Sequence, residues 1–415
     1  MKIAIIGGGA AGMMCAVTIC EQMPKARIFL IEKNEELGKK VILSGGGRCN
    51  VTTGITDLKT VLQCYPRGEK FLISSMHRFS PTDVYQWFLD HGVPLKCEED
   101  LRVFPQSDDG KDIVKTFEQI FANGKVKILT KHSVTKIEKT ASPTPGFIVN
   151  FKEQSSLIVD KVVMALGGQA YRHTGSTGDG YTIAESFGHT ITPLAPSLNS
   201  FITKEKWPRQ LSGLSFTRAT IHAGRTKMHQ RTGPFLFTHH GISGPTVFAL
   251  SSLVAFEEYS LKNPLPIFID LVPDVTSETL FKELRKYTEL NPKRNFKTTL
   301  HQYIPRSLAE MLGKEFNLTL EKTNAAVNNA ELHSAIKILK RLPLQAVLRG
   351  AGDEFVTAGG VNLAEINPQT LESTLCPGLY FTGEILAIDG FTGGFNLQAA
   401  WATGRAAGES IAKGK

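Results

Sequence analysis

The sequence predicts an α/β fold, a parallel-sheet domain whose chain is split by a large β-rich insertion. Three observations carry this. An apolar strand pattern, a glycine-rich turn and a helical pattern alternate over residues 2–31. A similar strand, glycine turn and helix return at 378–411. Between them, from Ile191, prolines, turn residues and short β-like runs (200–203, 219–223) replace the regular alternation, and 277–335 then reads mostly helical.

Residues 2–6 (KIAII) read as a short buried strand, 13–22 as a helix stopped near Pro24, and 27–31 (RIFLI) as a second strand. Gly7, Gly9 and Gly12 fit the spacing G-x-G-x-x-G, and Glu32 closes the second strand. Each part has a physical job. Gly7 permits the tight turn, Gly9 lets backbone approach a pyrophosphate, and Gly12 lets the helix pack closely on the strand. The helix N-terminus offers free N–H groups and a positive dipole end to phosphates, and Ala10 and Ala11, between the glycines, are expected cofactor-binding residues with them. Glu32, followed by Lys33, can accept hydrogen bonds from an adenosine ribose. A carboxylate there disfavours a 2′-phosphate, so the site suits FAD or NAD over NADP. The first domain is therefore expected to be Rossmann-like.

Lys40 then leads into Ser44-Gly45-Gly46-Gly47-Arg48-Cys49-Asn50. Consecutive glycines let backbone N–H groups line a concave anion or ring site, and Arg48 can offer a fork to phosphate or carbonyl oxygens. Cys49 is either a proton donor or a small buried side chain. Residues 161–166 (KVVMAL) form another apolar strand ending in Gly167 and Gly168. A glycine- and hydroxyl-rich turn (174–180) then precedes a helical stretch at 181–187.

The GGGAAG start and SGGGRCN are joined by ALGGQAYRHTGSTGDGY (165–181), FTHHGISGP (237–245), TAGGV (357–361) and LYFTGEILAIDGFTGGFNLQAAWATG (379–404). Together they resemble the YhiN/BaiN family of NAD(P)/FAD-dependent oxidoreductases, also called aminoacetone-oxidase-like flavoproteins. One departure is Arg172, where the family has proline after the tyrosine. The resemblance implies a two-lobed FAD-binding domain interrupted by a β-barrel-like domain with a helical subdomain. It makes Gly167 and Gly168 a second flavin contact. It gives Gly383 and Glu384 the ribityl chain, and sets the helix opened by Gly393, Gly394, Phe395 and Asn396 at the pyrimidine side of the flavin. His239 matches the family's histidine. Gly404 and Gly408 are read as close helix packing rather than a membrane dimerisation motif. The domains are then 1–190 with 351–415, and an insertion at 191–350. Within the insertion, 191–275 and about 340–350 are barrel-like and about 276–339 are helical.

Composition narrows the function. The net charge is +8, yet 191–350 holds 21 Lys/Arg against 12 Asp/Glu while the remainder holds 26 against 27. A local basic surface favours a polyanionic partner such as RNA. None of the six cysteines forms Cys-x-x-Cys, which removes the redox dithiol of many flavin disulfide reductases. No Cys/His grouping has zinc spacing, so no metal is expected. No apolar stretch of about 18 residues suggests a membrane span. Gly7 to Gly9 break the N-terminal apolar run, which argues against an export signal and for reduced thiols in a cytoplasm.

The resemblance offers two reductase substrates, steroid-like enones and uridine of large-subunit ribosomal RNA. The basic insertion favours RNA. Hydride and proton would add across the C5=C6 bond of a uridine withdrawn from its stack, with Cys49 or His239 as the acid. NADH or NADPH would serve as a transient electron donor. The alternatives are a small-molecule enone reductase or amine oxidase, and an RNA-binding assembly factor whose FAD is structural or sensing.

Overall fold

Runs of β-branched and aliphatic residues with no polar alternation suit strands buried on both faces. In a computed structural model, which describes residues 1–124, 126–140, 146–350 and 355–414, four such runs and one largely exposed edge strand make one parallel sheet. They are β1 (Lys2–Ile6), β2 (Arg27–Ile31), β3 (Val126–Leu129), β4 (Lys161–Met164) and β5 (Leu379–Phe381), in the order β5-β4-β1-β2-β3. Ile5 of β1 stands in register with Leu30 of β2 on one side and Val163 of β4 on the other. Two antiparallel three-stranded sheets accompany the parallel sheet. One is a meander of Val134–Lys139, Phe147–Phe151 and Leu157–Val159. The other joins Thr52–Thr53, Arg102–Pro105 and Leu95–Cys97.

Helix α1 (Ala10–Gln22) starts directly after Gly9, earlier than the apolar periodicity alone suggests. Helix α2 (Phe395–Lys413) lies against it, and small residues set the closeness of their approach. A Cβ on Gly404 would stand 2.3 Å from the Ala11 carbonyl oxygen, and one on Gly408 would stand 2.7 Å from Thr18 Cβ. Glycine at both positions is thus required by the neighbouring backbone and side chain.

The chain divides into two compact units, Met1–Ser197 with Glu354–Lys415, and Leu198–Asp353. The first break falls later than Thr190 for a local reason. Ala195–Ser197 pairs antiparallel with Val356–Ala358, which keeps 191–197 in the sheet-bearing unit. The return junction expected at residue 351 lies outside the described residues. The second unit has its own apolar core. A closed antiparallel barrel runs through Phe201–Thr203, Gly241–Ser243, His229–Phe237, Ser215–Ala223, Leu265–Asp270 and Leu342–Arg349. Four helices between its last two strands (Ser277–Leu290, Phe296–Leu300, Arg306–Glu315, Asn329–Lys340) form the helical subdomain. One further helix, Pro245–Leu253, sits within the stretch expected to be β-like. Its sequence PTVFALSSL is apolar nearly all round, so periodicity could not separate it from a buried strand, and Pro245 occupies the first helical turn, where its missing N–H costs nothing.

A buried network holds 189–192 to 360–376 in the first unit. Ser373 Oγ accepts the N–H groups of Leu375 (3.1 Å) and Cys376 (2.9 Å), so its proton points at His189 Nε2, 2.8 Å away. His189 Nδ1 then carries the ring proton toward Glu365 Oε2 at 3.1 Å. Burial lowers the His189 pKa below its ordinary 6.5, against the opposing pull of Glu365.

Two outcomes follow from this packing. Alanine normally stabilises a helix interior over glycine by about 1 kcal/mol. Gly404→Ala should instead destabilise the protein by about 2 kcal/mol in urea denaturation, because its methyl has no room. His189 is neutral when folded and gains a proton more readily when unfolded. Stability is therefore full above its ordinary value of 6.5 and falls as pH drops through and below it. His189→Gln should flatten that limb of the stability–pH curve, whatever it does to stability at pH 8.

Candidate active site

The glycines of the first turn divide by what surrounds them. Gly7, at φ 109, would put a Cβ 2.2 Å from the Ala165 oxygen, and Gly12 one 1.9 Å from the Gly7 oxygen. These two close the turn on itself. A Cβ on Gly9 would meet no protein atom within 4 Å, so the space in front of the α1 N-terminus is open, and no side chain caps that helix. Ala10 and Ala11 are buried in its first turn, and Ala11 is the surface on which Gly383 and Gly404 close.

Glu32 is fixed at the end of β2. Its carboxylate accepts from Gly8 N–H (2.8 Å), Asn34 N–H (2.9 Å) and Asn34 Nδ2 (2.7 Å). Lys33 reaches across to Asp179 (2.7 Å) and Thr177 (2.6 Å), and Asn34 Nδ2 donates to the Thr174 carbonyl. The glycine- and hydroxyl-rich turn is thereby bound to the end of β2. Ser176 Oγ, donating to the Gly168 carbonyl at 2.9 Å, also ties it to the end of β4.

A second corner joins four distant segments. Lys40 Nζ stands 2.5 Å from Glu384 Oε2, with both side chains partly exposed. Glu384 Oε1 accepts the Thr357 N–H at 2.9 Å. Thr357 Oγ1 in turn accepts the N–H groups of Gln169 (2.8 Å) and Ala170 (3.2 Å). A Cβ on Gly168 would fall 2.4 Å from Thr357 Oγ1, and Gly167 turns the chain at φ 73. Gly383 also has positive φ, 74, and donates its N–H to Thr403 Oγ1 at 3.0 Å.

In the third corner Gly45, Gly46 and Gly47 follow one another at φ 60, 73 and 94, beginning at Ser44. A Cβ on Gly46 or Gly47 would meet nothing within 4 Å. The Asn50 amide donates to the Thr52 carbonyl and accepts the Gly394 N–H at 2.9 Å, joining this run to the start of α2. Gly394, at φ 89, passes so close to Thr52 that a Cβ would lie 2.2 Å from its oxygen, and Gly393 has φ 129. Asn396 pins its own loop through the N–H and carbonyl of Gly390 (2.9 and 2.8 Å), and the Phe395 carbonyl accepts from Tyr65 Oη at 2.7 Å.

Two of the expected site residues are engaged by the protein itself. Arg48 lies over the Phe104 ring at 3.8 Å and pairs with Glu98 at 2.7 Å and Asp108 at 3.4 Å, so its guanidinium is held by protein. Cys49 has no accessible surface, and burial pushes its thiol up to about 12. A thiol without accessible surface, its proton held by burial, fits a packing role better than that of the acid. His239 is exposed, on the turn between His229–Phe237 and Gly241–Ser243 of the second unit. Sequence reasoning missed the binding partners Thr357 and Asp389. Asp389 is fully buried, accepts from Nε and Nη2 of Arg67 and accepts from Ser197 Oγ at 2.9 Å. Among the described residues, no cluster of His, Cys, Asp and Glu could hold a metal ion, and no helix is long and apolar enough to cross a membrane.

The family model described as the HI0933-like protein Rossmann domain matches residues 1–410. The chain belongs to that family. It is 31% identical to the 3-dehydro-bile acid delta(4,6)-reductase of Clostridium scindens, over 99% of both chains. It is 30% identical to the ribosomal RNA dihydrouridine synthase of Escherichia coli, over 99% of this chain and 98% of that one. Among solved structures, the 3-ketosteroid-delta4-(5alpha)-dehydrogenase of Rhodococcus jostii RHA1 shares the fold with a TM-score of 0.54 at 15% identity, over 99% of this chain and 97% of that one. The chain is an FAD-dependent oxidoreductase of mixed α/β architecture, with a closed six-stranded barrel.

The open and closed glycines predict opposite phenotypes. Gly9→Ala should leave the urea unfolding free energy of the apoprotein within about 0.5 kcal/mol of wild type yet strip flavin absorbance from the purified protein. Gly12→Ala should lose at least about 2 kcal/mol of stability through its clash with Gly7. Retention of full flavin by the Gly9 variant would remove the pyrophosphate role from this turn.

Proposed function

We propose that the chain reduces an electron-poor C=C bond, and that its substrate is a uridine of ribosomal RNA, converted to dihydrouridine. The observation that carries the substrate is the segregation of charge. The whole positive excess lies in 191–350, where Lys/Arg outnumber Asp/Glu by 21 to 12. Lys204, Lys206, Lys282, Lys286 and Lys293 are exposed there. A neutral steroid gains nothing from such a surface. An RNA backbone does, because each phosphate contact releases counterions. The name of the Escherichia coli relative supports the same reading.

The residues fit FAD. Gly9, with Ala10 and Ala11 behind it, leaves room for the pyrophosphate at the α1 N-terminus, and the fixed Glu32 carboxylate suits the adenosine ribose. Gly46 and Gly47 present backbone to open space, and Lys40, Gly167, Gly168, Gly383 and Glu384 frame the ribityl side. Gly393, Gly394, Phe395 and Asn396 set the start of α2 toward the flavin, with Ser44, Gly45 and Asn50 supporting that turn. Lys33 and Arg48 act by holding Asp179 and Glu98. Bound there, FAD supplies two-electron hydride chemistry. NADH or NADPH is the proposed source of the electrons, and the cytoplasm the proposed compartment. Conversion of uridine breaks the C5=C6 π bond and adds a hydride equivalent at one carbon and a proton at the other. Of the two candidates for delivering that proton, Cys49 and His239, we favour His239, which is exposed where Cys49 is buried.

Deleting the gene and mapping reduced uridines across ribosomal RNA tests this directly. The expected result is loss of one dihydrouridine, restored by the wild-type gene and not by Gly9→Ala. An unchanged map, with a flavin-loaded protein that reduces a steroid enone, would assign the chain to small-molecule reduction instead. Tight, salt-sensitive RNA binding with no reduction of either would leave an RNA-binding protein with a structural or sensing flavin.

A further inference from the structure

The loop after β4 holds an aromatic residue in a backbone conformation that bulky side chains avoid. Tyr171 lies at φ 56 and ψ 50, the left-handed region where a Cβ crowds the following carbonyl. The conformation is fixed from both sides. Upstream, the Gln169 and Ala170 N–H groups donate to Thr357 Oγ1. Downstream, the Tyr171 carbonyl accepts the Thr174 N–H and Thr174 Oγ1, each at 2.8 Å. Strain maintained in this way is concentrated at functional sites.

What the strain achieves is the position of the ring. Its centroid is 6.0 Å from Lys40 Nζ, the ammonium paired with Glu384. Phe355 (5.9 Å) and His173 (5.7 Å) flank it, and the residue is half-buried. A glycine would satisfy the backbone here without strain, so the side chain is what the position retains. That side chain borders the corner framed by Lys40, Glu384 and Gly168.

We infer that Tyr171 is a wall of the reaction chamber that stacks a planar, electron-poor heterocycle. The ring it takes is either the flavin itself or the pyrimidine of the substrate. Both present a flat, electron-deficient face to an electron-rich phenol, the pairing that offset stacking favours. The inference rests on the flavin reading above and adds a contact residue to it.

The test compares FAD-loaded wild type with Tyr171→Phe and Tyr171→Gly. A phenol in contact with an excited flavin quenches it by electron donation, and a phenyl ring does not. If the flavin is the stacked group, Tyr171→Phe lengthens the flavin fluorescence lifetime several-fold. If the substrate ring is, Tyr171→Gly raises KM for a uridine-containing ribosomal RNA fragment by about tenfold, with the lifetime unchanged. The thermal midpoint of each variant, measured alongside, separates a lost ring contact from a folding failure. Unchanged lifetime, FAD affinity and KM overturn the inference. A wild-type protein that holds no FAD defeats the flavin reading instead. One that holds FAD but leaves the RNA unaltered defeats only the RNA reading, and the lifetime then decides Tyr171 alone.

Discussion

The contact on which the rest depends is the crossing of α1 and α2. These helices lie at opposite ends of the chain, yet Gly404 sits against the Ala11 backbone and Gly408 against Thr18 with no room for a methyl group. The same Ala11 side chain receives Gly383 at the end of β5. One helix turn thus fixes the first glycine-rich loop, the last strand and the last helix relative to one another. Once that crossing is made, the chain between β4 and β5 is free to carry a separate folding unit. The two ends of the insertion are held side by side by the pairing of Ala195–Ser197 with Val356–Ala358.

The crossing also explains why the site is assembled from so many segments. A parallel sheet delivers its loops to one edge, where ligands bind beyond the carboxyl ends of the strands. Glu32 follows β2, Gly167 and Gly168 follow β4, and Gly383 and Glu384 follow β5. What turns three loops into one surface is a set of polar contacts with large sequence separation. Lys40 reaches Glu384, Glu384 reaches Thr357, and Thr357 holds Gln169 and Ala170. Breaking any one of them frees a loop but leaves the sheet, so the site is expected to be softer than the fold beneath it.

This separation of scales governs what the sequence reveals. β1, α1, β2 and Glu32 are legible because their signals are local: an apolar run, a helical period, glycines at fixed spacing. The barrel and its helices are legible as a change of texture, though Pro245–Leu253 is not, because an apolar segment of that length fits strand and helix equally. Thr357, Asp389 and the strain at Tyr171 are invisible for a different reason. Their partners are far along the chain, and nothing in the neighbouring residues encodes the pairing. Cys49 shows the converse case. Its place in a glycine-rich loop suggests chemistry, while the structure buries it beneath that loop and holds its proton.

Glycine itself carries two meanings here, and the fold separates them. Gly7, Gly12, Gly394 and Gly404 are glycines because protein backbone occupies the space a side chain would need. Gly9, Gly46 and Gly47 have no such neighbour, and a Cβ on each would project into emptiness. Packing cannot account for the second group, and conformational freedom accounts for only part of it, since Gly9 has an ordinary negative φ of −84. A position that tolerates a side chain sterically and torsionally, yet lies at the uncapped N-terminus of a buried helix, is best explained by a group that enters from outside. An anionic pyrophosphate meets that requirement with the charge, the size and the need for bare N–H donors that the turn supplies.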